Sequence, residues 1–77
     1  MSDTGRAGGG VTIQLNGEAR PCPSGLHLLE VLRHFGYEPR LVVVEFNGVI
    51  LPRTAWAEQA VGEDAVLEVV TIVGGGS

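Results

Sequence analysis

The sequence predicts an α+β domain: a mixed sheet of four to five strands with one main helix packed on one face. Three observations lead there. Two runs of strand-like residues each break at an Asn-Gly pair, Asn16-Gly17 and Asn47-Gly48, which signals a tight β-hairpin. A helical stripe of leucine and valine lies between the two pairs. A long β-branched run, AVLEVVTIV, comes last. At 77 residues the chain makes one domain at most, and 44% hydrophobic residues suffice for a single small core. A domain this short buries only about 60% of its unfolded surface, so its stability is expected to be modest.

The elements follow in order. Residues 1–10, MSDTGRAGGG, are small, polar and glycine-rich and are expected to be disordered ahead of a domain at 11–73. In VTIQLNG, Val11, Ile13 and Leu15 alternate with Thr12, Gln14 and Asn16, the period of a half-buried strand. After the turn a short strand returns through Glu18 to Cys22, and Pro21 and Pro23 confine it to a sheet edge. In PSGLHLLEVLRHFG, the residues Leu28, Leu29, Val31, Leu32 and Phe35 form one stripe, and Glu30, Arg33 and His34 face outward. That is a helix of about two to three turns. Gly36 is placed to cap its end, and Pro39 prevents it from resuming. Ser24 is the better chemical candidate for the N-cap; His27, three residues before Glu30, is an atypical one.

LVVVEFNGVIL holds a strand, a turn and a second strand, with Val42, Val44 and Phe46 on one face and Glu45 on the other. PRTAWAEQAVGED is an irregular crossing with Trp56 as its large apolar anchor. The nine-residue run that follows is too apolar for an edge, and it is expected to insert beside the first strand, in parallel. This is a β-grasp arrangement, although the pattern alone also admits other small α+β sheets.

Charge and composition exclude several functions. Five arginines, no lysine and nine carboxylates leave a net charge of −4, which argues against nucleic acid, whose phosphates need clustered positive charge. A basic protein partner is allowed, but the same charge is ordinary for solubility. A single cysteine, Cys22, forms no internal disulfide and makes a structural zinc site unpromising. No apolar run reaches membrane-spanning length, and the N-terminus lacks the apolar core of a signal peptide. The expectation is a soluble, cytoplasmic protein with no membrane partner.

Little catalytic chemistry is visible. Cys22 has no adjoining His or Lys and reads as an inert residue near a strand end. His27 and His34 are seven apart and share similar helix faces, but two histidines alone make a poor metal site. They read as a cap and a solvated side chain. Trp56 reads as a core anchor rather than a partner hot spot. No Ser-His-Asp, paired-carboxylate or phosphate-loop spacing is present. Gly8, Gly9 and Gly10 have a linker reading. Gly74, Gly75 and Gly76 differ because they follow the last strand, in a tail at 74–77. Four residues reach about 13–14 Å at most. Such a thread fits a narrow channel, and ordering it there costs about 1–2 kcal/mol per residue, which a partner must offset. GGGS also reads as a frayed terminus or a linker.

The stretch VTIQLNGEAR, the helix ending at Gly36, the segment VVVEFNGVILPR with Asn47, Gly48, Pro52 and Arg53, the following Trp56-Ala57 and the C-terminal diglycine together resemble one family. It is ThiS, the thiamine-pathway sulfur carriers of ubiquitin-like β-grasp fold, and the resemblance covers about residues 11–76. It implies a protein substrate rather than an enzyme. A ThiF-type adenylating enzyme, using ATP and magnesium, adenylates the last glycine. A sulfur donor system then converts it to a thiocarboxylate, and a ThiG-type thiazole synthase takes the sulfur. This chain itself is expected to bind no cofactor. Gly76 maps onto the reactive position, and Gly74 and Gly75 onto the part of the tail inserted into partners. The exposed sheet face and the base of the tail are the expected partner surface, with Arg53 as a possible partner contact.

Two positions depart from the family pattern. Ser77 turns the Gly76 carboxylate into an internal amide, so the carrier reading needs Gly76 to be freed. Proteolysis, a non-native serine and truncation of a longer fusion each account for it. Gly62-Glu63-Asp64 replaces an acidic-Gly-Asp turn ahead of the last strand. The alternatives are a molybdopterin-pathway (MoaD-like) carrier and a non-catalytic β-grasp interaction module.

Overall fold

The computed structural model describes residues 10–72. The tail positions Gly74, Gly75, Gly76 and Ser77, and residues 1–9, lie outside the described residues. The chain forms β1 (Gly10–Leu15), β2 (Glu18–Pro23), α1 (Leu28–His34), β3 (Val42–Phe46), β4 (Val49–Ile50) and β5 (Val66–Thr71). Short 3-10 turns at Pro39–Leu41 and Arg53–Ala55 join them. The five strands make one sheet in the order β2-β1-β5-β3-β4. β5 is central and lies parallel to β1 and antiparallel to β3, as the β-grasp expectation requires. β1 starts at Gly10, one residue ahead of the expected domain boundary. A Cβ at Gly10 would sit 2.5 Å from the Cys22 carbonyl oxygen, so the strand's first pair needs glycine.

Both hairpins turn on Asn-Gly pairs with positive φ at each residue: +52° and +84° at Asn16-Gly17, +52° and +87° at Asn47-Gly48. That geometry matches the right-handed twist of the flanking strands. The two asparagines also act on the central strand. Val69 N–H donates to Asn16 Oδ1 at 2.7 Å, and Asn16 Nδ2 donates to the Val69 carbonyl at 3.2 Å. Val66 N–H donates to Asn47 Oδ1 at 2.9 Å. Side-chain amides thus extend the pairing of β5 where its neighbours turn away.

The β2 edge is blunted. In β1 the N–H groups of Gln14 and Asn16 point toward β5, donating to Ala65 and Leu67 carbonyls. The alternate residues Val11, Ile13 and Leu15 therefore pair with Cys22, Arg20 and Glu18. The outward backbone positions of β2 are Ala19, Pro21 and Pro23, and the two prolines offer no N–H to an added strand.

Leu28, Val31 and Leu32 of α1 are buried with Ile13, Leu15, Val42, Val44, Leu67, Val69 and Trp56, so the helix covers one face of the sheet. The start of α1 differs from the better candidate named above. Its N-cap is His27, and Ser24 lies in the preceding turn. Tertiary contacts decide this. His27 bridges to Ala60, Leu28 N–H donates to the Gln59 carbonyl at 2.7 Å, and Leu29 N–H to that of Trp56 at 3.2 Å. The crossing segment thus satisfies amides that a serine side chain would otherwise serve. Glu30 Oε1 accepts from His27 N–H at 2.8 Å, half of a capping box. At the other end, Gly36 N–H reaches Arg33 O and Tyr37 N–H reaches Leu32 O, a Schellman closure at the expected glycine. Pro39 does not merely stop the helix, since it opens the 3-10 turn to Leu41.

β5 is six residues long rather than nine. Ala65 ends the preceding turn, donating to Gly62 O, and the strand closes at Thr71. In that turn Asp64 holds the positive φ, +67°, and Glu63 Oε1 accepts from Thr12 N–H at 3.1 Å. The departure from the family pattern lies at Gly62 and Glu63, neither of which has positive φ, while the left-handed position falls on Asp64, where the pattern also has Asp.

Candidate functional site

The end of β5 and the open face of the sheet form the candidate site. β5 is paired on both sides only through its first part. Its register with β1 covers Val66 and Leu67, and Asn16 extends that support to Val69. From Val70 onward β3 is its described neighbour, with Val43 opposite Val70 and Val42 opposite Thr71. One step further, Ile72 N–H donates to the Leu41 carbonyl. The base of the tail is thus tied to the 3-10 turn Pro39–Leu41. That turn is braced in its own right, because Arg53 Nη2 donates to the Arg40 carbonyl at 3.2 Å.

Arg53 is exposed, and its guanidinium carbon lies 5.7 Å from the ring centroid of Trp56. Trp56 is buried, and its Nε1–H donates to the Leu51 carbonyl at 3.0 Å. The Pro52-Arg53…Trp56 stretch therefore clips the second 3-10 turn to the first, close to where β5 leaves the sheet. This places Arg53 beside the tail base, the region where a partner contact was expected, and gives it a structural attachment as well.

The face opposite α1 carries alternate residues of β5 and β3. Leu41, Val43, Val66, Val70 and Ile72 are exposed apolar residues there, and Ile50 of β4, opposite Glu45, joins them. Val70 is 62% exposed although it lies on the central strand. Glu45 and Glu68 stand directly opposite each other within this apolar stripe. Neither Arg40, Leu41 nor the facing of the two glutamates was visible in the sequence. The outward position of Glu45 was legible from alternation, but its partner depends on the β3–β5 register.

Chemistry elsewhere is sparse. The Cys22 thiol is buried, and desolvation pushes its pKa up, so it is a poor thiolate, in keeping with the inert reading. The shallow cleft beside it is lined by Gly10, Pro21, Cys22, Pro23 and His34 and gathers no acid–base pair around the sulfur. His27 Nδ1 lies 3.5 Å from Glu30 Oε1, and no group of three or more metal-binding side chains occurs among the described residues. No helix among the described residues is long and apolar enough to cross a membrane.

The decisive observation is a family match: residues 13–76 fit the ThiS family. The chain belongs to the ThiS family. The match takes in both hairpins, the helix, the crossing and the glycines up to Gly76. Among solved structures, the thiamine biosynthesis protein ThiS from Geobacter metallireducens superposes with a TM-score of 0.71 at 27% identity, covering 86% of this chain and all of that one. The ThiS-family β-grasp fold is therefore the fold of this chain. An uncharacterized protein, ycf40, from Pyropia yezoensis is 36% identical over 66 residues, which is 86% of this chain and 93% of that protein. A thiazole synthase from Paramagnetospirillum magneticum is 36% identical over 65 residues, 84% of this chain but 20% of that enzyme.

Proposed function

We propose that this chain is a sulfur carrier of thiamine biosynthesis whose reactive group is the carboxylate of Gly76. Membership of the ThiS family, over a stretch that ends at Gly76, is the observation that carries the reading. The likeness to a thiamine biosynthesis protein supports a carrier role. The thiazole synthase relatives, in which a segment like this chain occupies a fifth of a longer protein, favour thiazole synthase as the sulfur acceptor.

The chemistry is that of a substrate. A carboxylate is a poor electrophile, and the activating enzyme corrects this. An oxygen of the Gly76 carboxylate attacks the α-phosphorus of ATP and expels pyrophosphate, leaving an acyl-adenylate. A sulfur nucleophile then adds to the acyl carbon and expels AMP, leaving the thiocarboxylate. ATP and magnesium belong to the activating enzyme, and this chain contributes no catalytic side chain. Its body docks outside while the glycine thread carries the reacting carbon into a closed site. Because Ser77 occupies the Gly76 carbonyl as an amide, activation requires a chain that ends at Gly76.

Intact mass tests the reading. The chain ending at Gly76 is incubated with a ThiF-type enzyme, ATP, magnesium and a sulfide donor. Gain of the mass difference between sulfur and oxygen supports the reading, with no such gain in the chain that retains Ser77. An unchanged mass in the Gly76-terminated chain refutes it. Conversion only by a molybdopterin-pathway enzyme would move the assignment to the MoaD-like alternative.

A further inference from the structure

The 3-10 turn Pro39–Leu41 presents two adjacent backbone carbonyls, each taken by a distant segment. The Leu41 carbonyl accepts from Ile72 N–H, just past the end of β5, and the Arg40 carbonyl accepts from Arg53 Nη2 at 3.2 Å. Leu41 N–H closes the turn on the Glu38 carbonyl at 2.8 Å, and the buried Pro39 roots it in the body. The Arg40 side chain takes no part in this, since its Nε turns to Glu38 Oε2 at 3.4 Å. Arg53 is itself held. Its guanidinium carbon lies 5.7 Å from the centroid of the Trp56 ring, and that ring is buried and tied to the Leu51 carbonyl. A surface arginine ordinarily keeps its rotamer freedom, whereas a ring beneath and a carbonyl ahead restrict this one. On the other flank of β5 the support ends early. β1 pairs with Val66 and Leu67, and the Asn16 carboxamide holds Val69. Beyond Val69, the backbone partners of the strand among the described residues come from β3 and Leu41.

We propose that Arg53 is a positioning residue for the activation of Gly76. By pinning the Arg40 carbonyl it fixes the neighbouring Leu41 carbonyl against Ile72, and so keeps the base of the tail ordered while the reacting carbon is placed. The inference rests on the carrier reading and deepens it, because it gives a task to a side chain that need not touch a partner. The reacting carbon lies four residues beyond Ile72, a reach of about 13–14 Å at most. Each residue freed at the base has to be ordered again when the carbon enters a closed site. That cost corresponds to about five- to thirtyfold in rate for one residue. On the carrier reading the body docks first and the thread is inserted afterwards. A loosened base therefore lowers the share of docked carriers whose tail is productively placed, so kcat falls and KM does not rise. A direct contact between Arg53 and a partner has the opposite signature, since its loss raises KM and leaves kcat unchanged.

The test compares the Gly76-terminated chain with its Arg53→Ala, Ile72→Pro and doubly substituted variants. Ile72→Pro removes the N–H that Leu41 holds and leaves Arg53 in place. In the free carrier, Arg53→Ala should quicken amide exchange at Ile72 about tenfold or more beyond any change at Val69. With a ThiF-type enzyme, ATP, magnesium and a sulfide donor, Arg53→Ala should lower kcat about fivefold or more, with KM within about twofold of the parent. Ile72→Pro should lower kcat as well. The double variant should be no slower than the slower single one, because both substitutions break one chain of contacts. Melting curves establish that each variant is folded at the assay temperature. If Ile72→Pro is not, the exchange and kinetics of Arg53→Ala decide alone. Unchanged exchange at Ile72, unchanged kcat, or losses that multiply in the double variant overturn the proposal and leave the carrier reading standing. A raised KM at unchanged kcat also overturns it and makes Arg53 a partner contact instead. A parent that is never converted overturns the carrier reading, and the positioning role with it, whatever the exchange at Ile72.

Discussion

Asn16 offers the sharpest test of how this sheet holds its central strand. Its carboxamide accepts from Val69 N–H at 2.7 Å and donates to Val69 O at 3.2 Å, and Nδ2 also lies 3.3 Å from Tyr37 Oη. Its backbone sits at φ +52°, where most L-residues are strained. Three substitutions separate these contributions. Asn16→Gly tolerates the backbone but deletes two part-buried hydrogen bonds to Val69, a loss of about 1–3 kcal/mol at about 0.5–1.5 each. Asn16→Ala adds left-handed strain of about 1–2 kcal/mol to that loss. Asn16→Asp keeps the acceptor and loses the donor, which should cost about 1 kcal/mol. The order of stability is therefore parent, Asp, Gly, Ala. In a domain of this size each kcal/mol moves Tm by about 4–8 °C. Urea denaturation followed by circular dichroism, with m-values compared, measures the series. A Gly variant within about 0.5 kcal/mol of the parent at equal m would refute the idea that Asn16 pairs with β5.

Other outcomes follow from the same geometry. Trp56→Phe should cost about 1–3 kcal/mol, because it strands the Leu51 carbonyl and removes ring volume from the core; urea denaturation measures it. Arg53→Ala should cost about 1 kcal/mol through loss of the bond to Arg40 O and the contact with Trp56, and amide exchange at Ile72 should quicken as the tail base loosens. The Glu30 carboxyl is held below its ordinary range, chiefly by the His27 backbone N–H. A depressed folded-state pKa adds stability at neutral pH that is lost as pH falls through that pKa. Glu30→Gln should therefore flatten the acid limb of a stability–pH curve, and an unchanged limb would contradict the cap. The Cys22 thiol should react slowly with a thiol reagent in the native protein and at the ordinary rate in urea, because burial both shields it and raises its pKa.

Much of the fold was legible because short-range chemistry specifies it. Asn-Gly pairs favour one hairpin geometry, and both hairpins formed at those pairs with positive φ at all four residues. Pro21 and Pro23 marked an edge, and the structure puts them at the outward backbone positions of β2. The helix stripe and the central, parallel placement of β5 followed from apolar periodicity and from the apolar character of the last strand. Three features were not legible. Ser24 has the better capping chemistry, but the carbonyls of Gln59 and Trp56 reach the first amides of α1, so the N-cap falls later, at His27, and the helix begins at Leu28. Run length suggested a nine-residue last strand, whereas the 62–65 turn and the reach of β3 limit it to six. Arg53 read as a possible partner contact, and its hydrogen bond to Arg40 O required two distant turns to meet.

The sequence by itself determined the elements, their order, the core face of each strand and the family, because these depend on residues near one another or on a pattern repeated along the chain. Only the tertiary structure decided which side chains stand together across strands. The Glu45–Glu68 rung, the Asn16 clasp on Val69 and the tie between Leu41 and Ile72 join residues 23, 53 and 31 positions apart. Such contacts arise from strand register and loop closure, and no local preference of the residues involved encodes them.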